Sequence, residues 1–504
     1  MFKLFHGFPL FEAIHNARME RYTVPHRIPA RAVKLAIGIL IPLFLWNMPI
    51  SWYGIEGLTV IEQRLIAIFA LAALMWILDE IPAWTTSMLV VTVMLVAVSD
   101  SSFWFFRDGY DAALYGTAVK YQSIMHSFAD PIIMLFIGGF ILAIAATKSG
   151  LDMALARAML KPFGTRSQYV LLGFVLVTAI FSMFLSNTAT AAMMVMFLTP
   201  VLKALPADGK GKIGLAMAIP IGANIGGMAT PVGTPPNAIA LKYLNDPAGL
   251  DMGISFGGWV SFMFPLTLVI LFIGWGVLLY LFPFKQKTIE LKIEGKAKRD
   301  WRSIVVYVTF ALTLILWMTD KFTGVNSNVV AMIPVGVFCV TGVITKRDLE
   351  EINWSILWMV AGGFALGVGL NETGLAKHII ETIPFNTWSA IAMIIGTGLI
   401  CYFMSNFISN TATASLLVPI LAVAGMSMRD NLAVVGGVST LLIGIAISAS
   451  MAMVLPVSTP PNALAHATGM IKQSDMVRVG LIVGVIGLSL GYGLLVLLGS
   501  WGWI

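Results

Sequence analysis

The chain has 504 residues, of which 58% are hydrophobic and 11% charged, and its mean hydropathy is +0.88. Soluble domains contain roughly 45–50% apolar residues, so this composition excludes an ordinary water-soluble protein. It predicts an all-α polytopic membrane protein, because a bilayer core requires about 20 apolar residues per helical crossing. The net charge of +6 does not indicate a nucleic-acid partner, because the basic residues flank the apolar runs.

The N-terminal segment, residues 1–34, is expected to lie in the cytoplasm. It has no apolar run ending in small residues, so no cleaved signal peptide is predicted. The two cysteines, Cys339 and Cys401, lie in separate apolar runs with no second ligand at metal-binding spacing. Neither a disulfide framework nor a thiol metal site is therefore indicated.

Turn signals divide the rest of the chain into about eleven transmembrane helices. The predicted crossings lie near 35–50, 64–78, 82–99, 130–147, 213–244, 257–283, 303–319, 328–345, 355–371, 432–470 and 479–500. They are grouped into N-terminal helices (35–129), a first repeat (130–283), a basic cytoplasmic loop (284–302), linking helices (303–345) and a second repeat (353–501). The fold class is thus an all-α polytopic membrane protein.

Two further apolar segments carry a Ser-Asn-Thr motif near the middle. They are predicted as re-entrant hairpins, 167–203 on the cytoplasmic side and 387–424 on the external side, because each half looks too short to span comfortably.

The motifs are duplicated. Ser-Asn-Thr-Ala-Thr-Ala occupies residues 186–191 and 409–414, and Thr-Pro-Pro-Asn-Ala follows at 234–238 and 459–463. An earlier Gly-Gly-Phe at 138–140 returns at 362–364, and all three offsets lie between 223 and 225 positions. Repeated halves with interrupted apolar helices at matching positions indicate the binding site of a secondary transporter.

The basic residues orient the chain. With a cytoplasmic N-terminus and an external C-terminus, 24 of the 31 lysines and arginines fall inside, as the positive-inside rule expects of a plasma (inner) membrane protein. In this orientation the first repeat starts outside and the second starts inside. The repeats are therefore predicted to be inverted, with both Ser-Asn-Thr tips near the membrane midplane.

The motifs are suited to binding ions of both signs. A break within the membrane leaves carbonyls free at one helix end and N–H groups free at the next helix start. Carbonyl, hydroxyl and amide oxygens suit a small hard cation, whereas N–H groups and the positive dipole end suit a carboxylate. In Thr-Pro-Pro-Asn the Thr is a candidate N-cap, and Pro fits the first helical turn. The Gly-Gly pairs at 138 and 362 are interpreted as close helix packing.

The site predicted from these residues is electrically neutral. A dianion moving inward against about 100 mV costs about 4.6 kcal/mol, and two co-transported sodium ions would cancel that cost. Sodium coupling is therefore a hypothesis from charge arithmetic.

On both motif pairs and their order, the chain resembles the divalent anion/sodium symporter family over most of its length. The resemblance implies a homodimer, an elevator mechanism and sodium as coupling ion. It also implies a scaffold domain that includes the N-terminal helices 35–129 and a transport domain that carries both hairpins. It implies one sodium site at Ser182, Ser186, Asn187 and Gly233, and another at Ser405, Ile408, Asn410 and Ser458. It implies substrate-binding residues Asn187, Thr188, Thr234, Pro235, Asn410, Thr411, Thr459 and Pro460.

The resulting prediction is a secondary transporter, not an enzyme, that imports C4-dicarboxylates such as succinate, malate and fumarate with sodium. The chain departs from the family pattern at Ser405-Asn406 and at Ser458, around the second cation position. A sodium-independent dicarboxylate exchanger is therefore the main alternative, and a sulfate or tricarboxylate transporter is a weaker one. No selectivity filter or gating-charge helix indicates a channel, and neither His378 nor His466 lies beside a nucleophile motif of a hydrolase.

Overall fold

A computed structural model describes residues 30–205, 209–247, 249–289, 298–382 and 387–502. Most of the predicted N-terminal segment and the middle of the basic loop lie outside the described residues. The described part is helical, and its extended pairings are two isolated bridges, Ser99 with Val119 and Arg166 with Thr288.

The N-terminal half contains helices of eight residues or more at Ala30–Asn47, Val60–Leu78, Ala83–Ala97, Pro131–Ser149, Leu151–Leu160, Ser167–Phe184, Asn187–Ala204, Gly211–Gly227, Pro235–Leu244 and Phe256–Leu281. The C-terminal half contains Trp301–Met318, Met332–Val340, Trp354–Thr373, Leu375–Thr382, Ala390–Ser405, Asn410–Ser427, Gly437–Met451, Pro460–Ala467 and Gln473–Ser500. Shorter helices connect these at Ile50–Tyr53, Trp104–Arg107, Ala112–Tyr115, Tyr121–His126, Ser127–Ala129, Lys161–Phe163, Asp320–Thr323, Ser327–Val330, Lys346–Glu350 and Arg429–Ala433.

Eight helices of the described chain are long and apolar enough to cross a membrane, and further apolar helices are shorter. This confirms a polytopic helical membrane protein. Two of the eight, Ser167–Phe184 and Asn410–Ser427, are arms of the predicted hairpins. Each has 18 residues and is about 27 Å long, so the arms are longer than the sequence suggested. The first motif interrupts the helices for only two residues, Leu185 and Ser186, which leaves each arm its length.

The two predicted crossings that contain Thr-Pro-Pro-Asn are interrupted, as expected. The first broken helix consists of Gly211–Gly227 and Pro235–Leu244, separated by the first break, 228–234. The second broken helix consists of Gly437–Met451 and Pro460–Ala467, separated by the second break, 452–459. Proline at the start of each second half lacks an N–H that would have no partner there, so the helix restarts without loss.

The chain forms two compact units. One contains Met1–Asp130, Trp354–Ala390 and Thr411–Asn431; the other contains Pro131–Asn353, Ile391–Asn410 and Leu432–Ile504. We call these the first unit and the second unit.

The first unit buries charged side chains near its N-terminal helices. Arg64 is 4% exposed, donates to the carbonyls of Ala97 and Phe106, and lies near four aromatic rings. Glu62 is fully buried with a carboxylate oxygen 2.8 Å from His378 Nδ1. These groups belong to the start of the helix Val60–Leu78, where Thr59 and Glu62 form a capping box.

The predicted role of the Gly-Gly pairs in close packing agrees with the structure. In the second unit, a Cβ built on Gly138 would lie 2.2 Å from the carbonyl oxygen of Ala331. In the first unit, a Cβ on Gly362 would lie 2.5 Å from Ser87 Cβ, and one on Gly363 would lie 2.5 Å from Ser415 Cβ. Small residues of this kind let membrane helices approach at backbone distance.

We expect Gly138→Ala to lower the thermal unfolding midpoint in detergent by several degrees, because the new methyl group displaces a backbone rather than a flexible side chain; overpacking of this kind costs about 1–3 kcal/mol. Gly276→Ala is the matched control, since a Cβ there meets nothing within 4 Å. Equal midpoints for the two variants would contradict the packing assigned to Gly138.

Candidate functional site

At the first Ser-Asn-Thr motif, two acceptor oxygens converge on one hydroxyl group, which gives a cluster of three oxygen atoms. Ser182 Oγ lies 2.6 Å from Asn187 Oδ1 and 2.8 Å from the carbonyl oxygen of Ala223. Ser182 is at the end of the helix Ser167–Phe184 and is fully buried. A hydroxyl has one proton and cannot satisfy both acceptors. A cation that shares these oxygens would relieve the remaining oxygen–oxygen contact.

The second motif reproduces this arrangement in the same unit. Ser405 Oγ lies 2.7 Å from Asn410 Oδ1 and 3.3 Å from the carbonyl oxygen of Ala449. Ser405 is fully buried, and Asn410 begins the following helix. The serine and asparagine positions are 223 residues from those of the first motif, so the duplication extends from sequence to contacts.

Glycines complete the first cluster. A Cβ on Gly227 would lie 2.8 Å from Asn187 Oδ1, and a Cβ on Gly233 would lie 2.5 Å from the carbonyl oxygen of Gly227 and 3.0 Å from that of Ser182. Any larger residue at either position would push into this group of oxygens. The two ends of the first break therefore lie directly against the first motif.

Of the two predicted N-caps, Thr459 and Thr234, the structure confirms the first. Thr459 caps Pro460–Ala467 by accepting from Asn462 N–H at 3.3 Å. Ser186, which the sequence did not predict as an N-cap, caps the helix Asn187–Ala204, because its hydroxyl accepts from Ala189 N–H at 3.2 Å. Thr234 has the extended backbone of an N-cap but makes no capping bond with its side chain. There the N–H of Asn237 bonds the carbonyl oxygen of Thr234 instead, at 3.2 Å.

The asparagine of each Thr-Pro-Pro-Asn motif satisfies the carbonyls of its own break. Asn237 Nδ2 donates to the carbonyl oxygens of Gly227, Met228 and Thr230 at 2.8–3.1 Å. This shared amide keeps the interrupted backbone polar groups bonded without solvent, as a membrane-embedded break requires.

Asn462 does the same at the second break. Its Nδ2 donates to the carbonyl oxygens of Met453 and Leu455 at 2.9 Å and lies 3.2 Å from Ser458 Oγ. A second amide, from Asn406, accepts from Val454 N–H at 2.8 Å.

The two broken helices pack against each other in a reciprocal way within the second unit. Pro235–Leu244 packs on Gly437–Met451, and Pro460–Ala467 packs on Gly211–Gly227. Pro460–Ala467 also packs on Asn187–Ala204, which follows the first motif. The second half of each broken helix therefore contacts the other repeat. Both Thr-Pro-Pro-Asn motifs thus begin helices that take part in the contact between the repeats.

The remaining predicted residues differ in burial. Thr188 and Pro460 are exposed and Pro235 is half-buried, so these three are accessible to a ligand, whereas Thr234 and Ile408 are buried. Ser458 is buried, and its hydroxyl donates to the carbonyl oxygen of Leu455 at 2.7 Å. Thr411 falls in the first unit, although the adjoining Asn410 belongs to the second. The ligand roles of all these residues stay predictions.

Sequence reasoning did not assign several contributors. The carbonyl oxygens of Ala223 and Ala449 carry no side-chain signature, so only the fold identifies them. Gly227 has no side chain that could mark it in the sequence as a residue bordering an oxygen cluster. Asn224 was missed as well, although an asparagine within an apolar helix is itself a signal, because a buried amide needs partners.

The fold and this site define the class: a membrane transporter with paired interrupted helices around neutral oxygen clusters. The chain belongs to the divalent anion/sodium symporter family, since the family profile described as "Sodium:sulfate symporter transmembrane region" matches residues 29–504. The resemblance drawn from the motifs is confirmed. The protein is an integral membrane transporter and not an enzyme.

Curated relatives cover most of the chain. Sodium-dependent high-affinity dicarboxylate transporter 3 of Caenorhabditis elegans is 30% identical over 90% of this chain and 84% of its own length. Sodium-dependent dicarboxylate transporter SdcS of Staphylococcus saprophyticus is 28% identical over 90% of this chain and 89% of its own. An uncharacterised transporter of Haemophilus influenzae is 30% identical over 84% and 88%.

Among solved structures, the YdaH transporter of Alcanivorax borkumensis is similar in fold. The TM-score is 0.51 at 13% identity, and the match covers 76% of this chain and 88% of the other. This similarity supports the fold and nothing finer.

We expect Ser182→Ala and Ser405→Ala each to reduce the stabilisation by sodium, because each removes the hydroxyl at the centre of one oxygen cluster. The measurement is the shift in thermal midpoint between sodium chloride and potassium chloride in detergent. The control is Ser489→Ala, an exposed serine whose hydroxyl bonds only back to Val485 of its own helix. A sodium shift of wild-type size in both variants would argue against cation binding at these clusters.

Proposed function

We propose that this protein imports C4-dicarboxylates such as succinate, malate and fumarate, coupled to sodium. The observation that carries the proposal is the pair of matching serine–asparagine–carbonyl clusters, at Ser182 and at Ser405. Two equivalent oxygen clusters suit two sodium ions. The sodium-dependent dicarboxylate transporters among the relatives support the same pairing of ion and substrate.

The chemistry of the clusters favours a hard monovalent cation. Their ligands are hydroxyl, amide and carbonyl oxygens, which are hard donors and bear no formal charge. A neutral site gives a monovalent ion moderate attraction and lets it leave, whereas carboxylate ligands would favour a divalent ion. The Oδ1 atoms of Asn187 and Asn410 would bind sodium. Their Nδ2 groups, which are hydrogen-bond donors, would then be available to an anion.

The substrate would bind beside the cations. Asn187 starts a helix, so the N–H groups of its first turn and the positive end of its dipole would be available to an anion beside the Asn187 amide. The exposed Thr188 adds a hydroxyl donor. A dicarboxylate carries two charges, and sodium ions bound nearby would neutralise both. This accounts for anion binding without a cationic side chain among the proposed ligands.

Charge also gives a reason for coupling the substrate to cations. Moving a dianion inward against about 100 mV costs about 4.6 kcal/mol, which two sodium ions cancel.

We propose that the movement is of the elevator type, in a homodimer in the plasma membrane, with the N-terminus in the cytoplasm and the C-terminus outside. The alternative function is a sodium-independent exchanger. In that case the same clusters would be hydrogen-bond networks without a bound ion, and uptake would need internal dicarboxylate.

We expect uptake of radiolabelled succinate into proteoliposomes to be about tenfold faster under an inward sodium gradient than under a potassium gradient. Unlabelled malate and fumarate should compete, whereas sulfate and citrate should not, because the paired motifs suit two carboxylates of a four-carbon acid. Uptake that requires internal dicarboxylate and ignores sodium would identify the exchanger instead.

We expect Asn187→Ala and Asn410→Ala each to reduce this uptake to background while the purified protein keeps its size-exclusion profile. Each substitution removes an amide that would contribute to both the cation and the carboxylate sites. Asn47→Ala is the control, because that exposed amide bonds only to Leu43 of its own helix. Wild-type uptake in both site variants would refute the assignment.

A further inference from the structure

A buried amide joins the two repeats inside the second unit. Asn224 is 1% exposed and lies in the first broken helix, one residue after the Ala223 carbonyl of the first cluster. Its Nδ2 donates to Thr459 Oγ1 at 3.2 Å and to Asn462 Oδ1 at 3.1 Å. These bonds cross 235 and 238 positions of the chain and reach the second Thr-Pro-Pro-Asn motif.

Both acceptors organise the second break. Thr459 caps the helix that follows the break, and Asn462 holds the carbonyls of Met453 and Leu455. Asn462 also lies within hydrogen-bond distance of Ser458, a proposed ligand of the second sodium. Because Asn224 fixes the amide of Asn462 through its Oδ1, it orients the Nδ2 that holds the break.

The described residues show no equivalent connection in the opposite direction. Asn237, the counterpart of Asn462, has a buried Oδ1 without a hydrogen-bond partner in the described chain. The residue after Ala449, in the place that Asn224 has after Ala223, is Ser450, whose buried hydroxyl is likewise without a partner there. The repeats are therefore asymmetric: the first repeat supports the break of the second, but the described contacts include no equivalent support in return.

Asn224 itself is only half satisfied. Its Oδ1 is buried and has no hydrogen-bond partner among the described residues. Burying an unpaired amide oxygen is unfavourable, whereas an apolar side chain at this position would carry no such penalty. The contribution of this side chain therefore comes from the two bonds of its Nδ2.

We propose that Asn224 is a positioning residue that couples the first cation cluster to the second break and so keeps the second cation site ordered before sodium binds. The proposal rests on the proposed function in that it assigns Ser458 and Thr459 to the sodium and substrate site. Asn224 is not among the proposed ligands of sodium or substrate. It acts through Thr459 and Asn462.

The consequence is a change in apparent sodium affinity with little change in maximal uptake. When a binding-competent conformation is only partly populated, the apparent dissociation constant rises by the inverse of its population. The free energy of one or two buried hydrogen bonds corresponds to about a tenfold change in a conformational equilibrium. Losing the two bonds of Asn224 would therefore lower the population of the ordered second break by about that factor. Saturating sodium would restore the order.

The first test is succinate uptake as a function of sodium concentration in Asn224→Ser. We expect the half-saturating sodium concentration to rise about tenfold while maximal uptake stays within twofold of wild type. Ser450→Ala is the matched control, because it removes a hydroxyl without a partner at the corresponding position. An unchanged sodium dependence in Asn224→Ser, or an equal shift in Ser450→Ala, would overturn the proposal.

The second test does not depend on transport. Val454→Cys places a thiol in the second break, where Val454 is 8% exposed, in a Cys339→Ser background that removes the exposed native cysteine. We expect Asn224→Ser to accelerate maleimide labelling of this thiol about tenfold in sodium-free detergent, and Ser450→Ala to leave it unchanged. Equal labelling rates with and without Asn224 would refute the positioning role.

The two tests separate the possible failures. If wild-type uptake does not respond to sodium, the proposed function fails, yet the labelling comparison in sodium-free buffer still decides the role of Asn224. Should Asn224→Ser not yield a monodisperse protein, Asn224→Thr is closer in volume and its short hydroxyl cannot bond both acceptors. The same labelling and uptake criteria then apply to that variant.

Discussion

The structure depends on one constraint: a helix interrupted within a bilayer must satisfy its freed backbone groups from inside the protein. Both broken helices meet this constraint with an asparagine placed three residues into the restarting segment. Asn237 serves three carbonyls of the first break, and Asn462 serves two carbonyls of the second. Once these groups are bonded, an interruption that would otherwise be unfavourable becomes a stable part of the fold.

The candidate site lies beside these interruptions. The hydroxyls of Ser182 and Ser405 each contact a motif asparagine and one carbonyl oxygen of a broken helix, that of Ala223 or Ala449. No ionised side chain is needed, which avoids the cost of burying a charge in the membrane. Neutral ligands also fit a transporter, because an ion that is bound by dipoles alone can be released on the other side.

The duplication is not strict in its contacts. Serine and asparagine make equivalent contacts at both motifs, but Thr234 and Thr459 cap differently, and Asn224 has a serine as its counterpart. Such differences give two copies of one motif different stabilities.

Much of the fold was predictable, because membrane crossings need long apolar runs and the breaks carry glycine and proline that helices do not tolerate well. The arm lengths were not, since Leu185 and Ser186 interrupt the helix for fewer residues than the polar motif suggests. The packing of Gly138 against a backbone was inferred correctly because small residues have few other uses at such positions.

The sequence by itself determined the family, the helical membrane architecture and the paired motifs, because each of these is recorded in the order and type of side chains. Only the tertiary structure decided which carbonyls join each serine, that Gly227 borders the first cluster, and that Asn224 reaches the second repeat. Backbone oxygens are the same at every residue. The role of a backbone oxygen is set by the position to which folding brings it. A hydrogen bond between residues more than 230 positions apart produces no local pattern in the sequence.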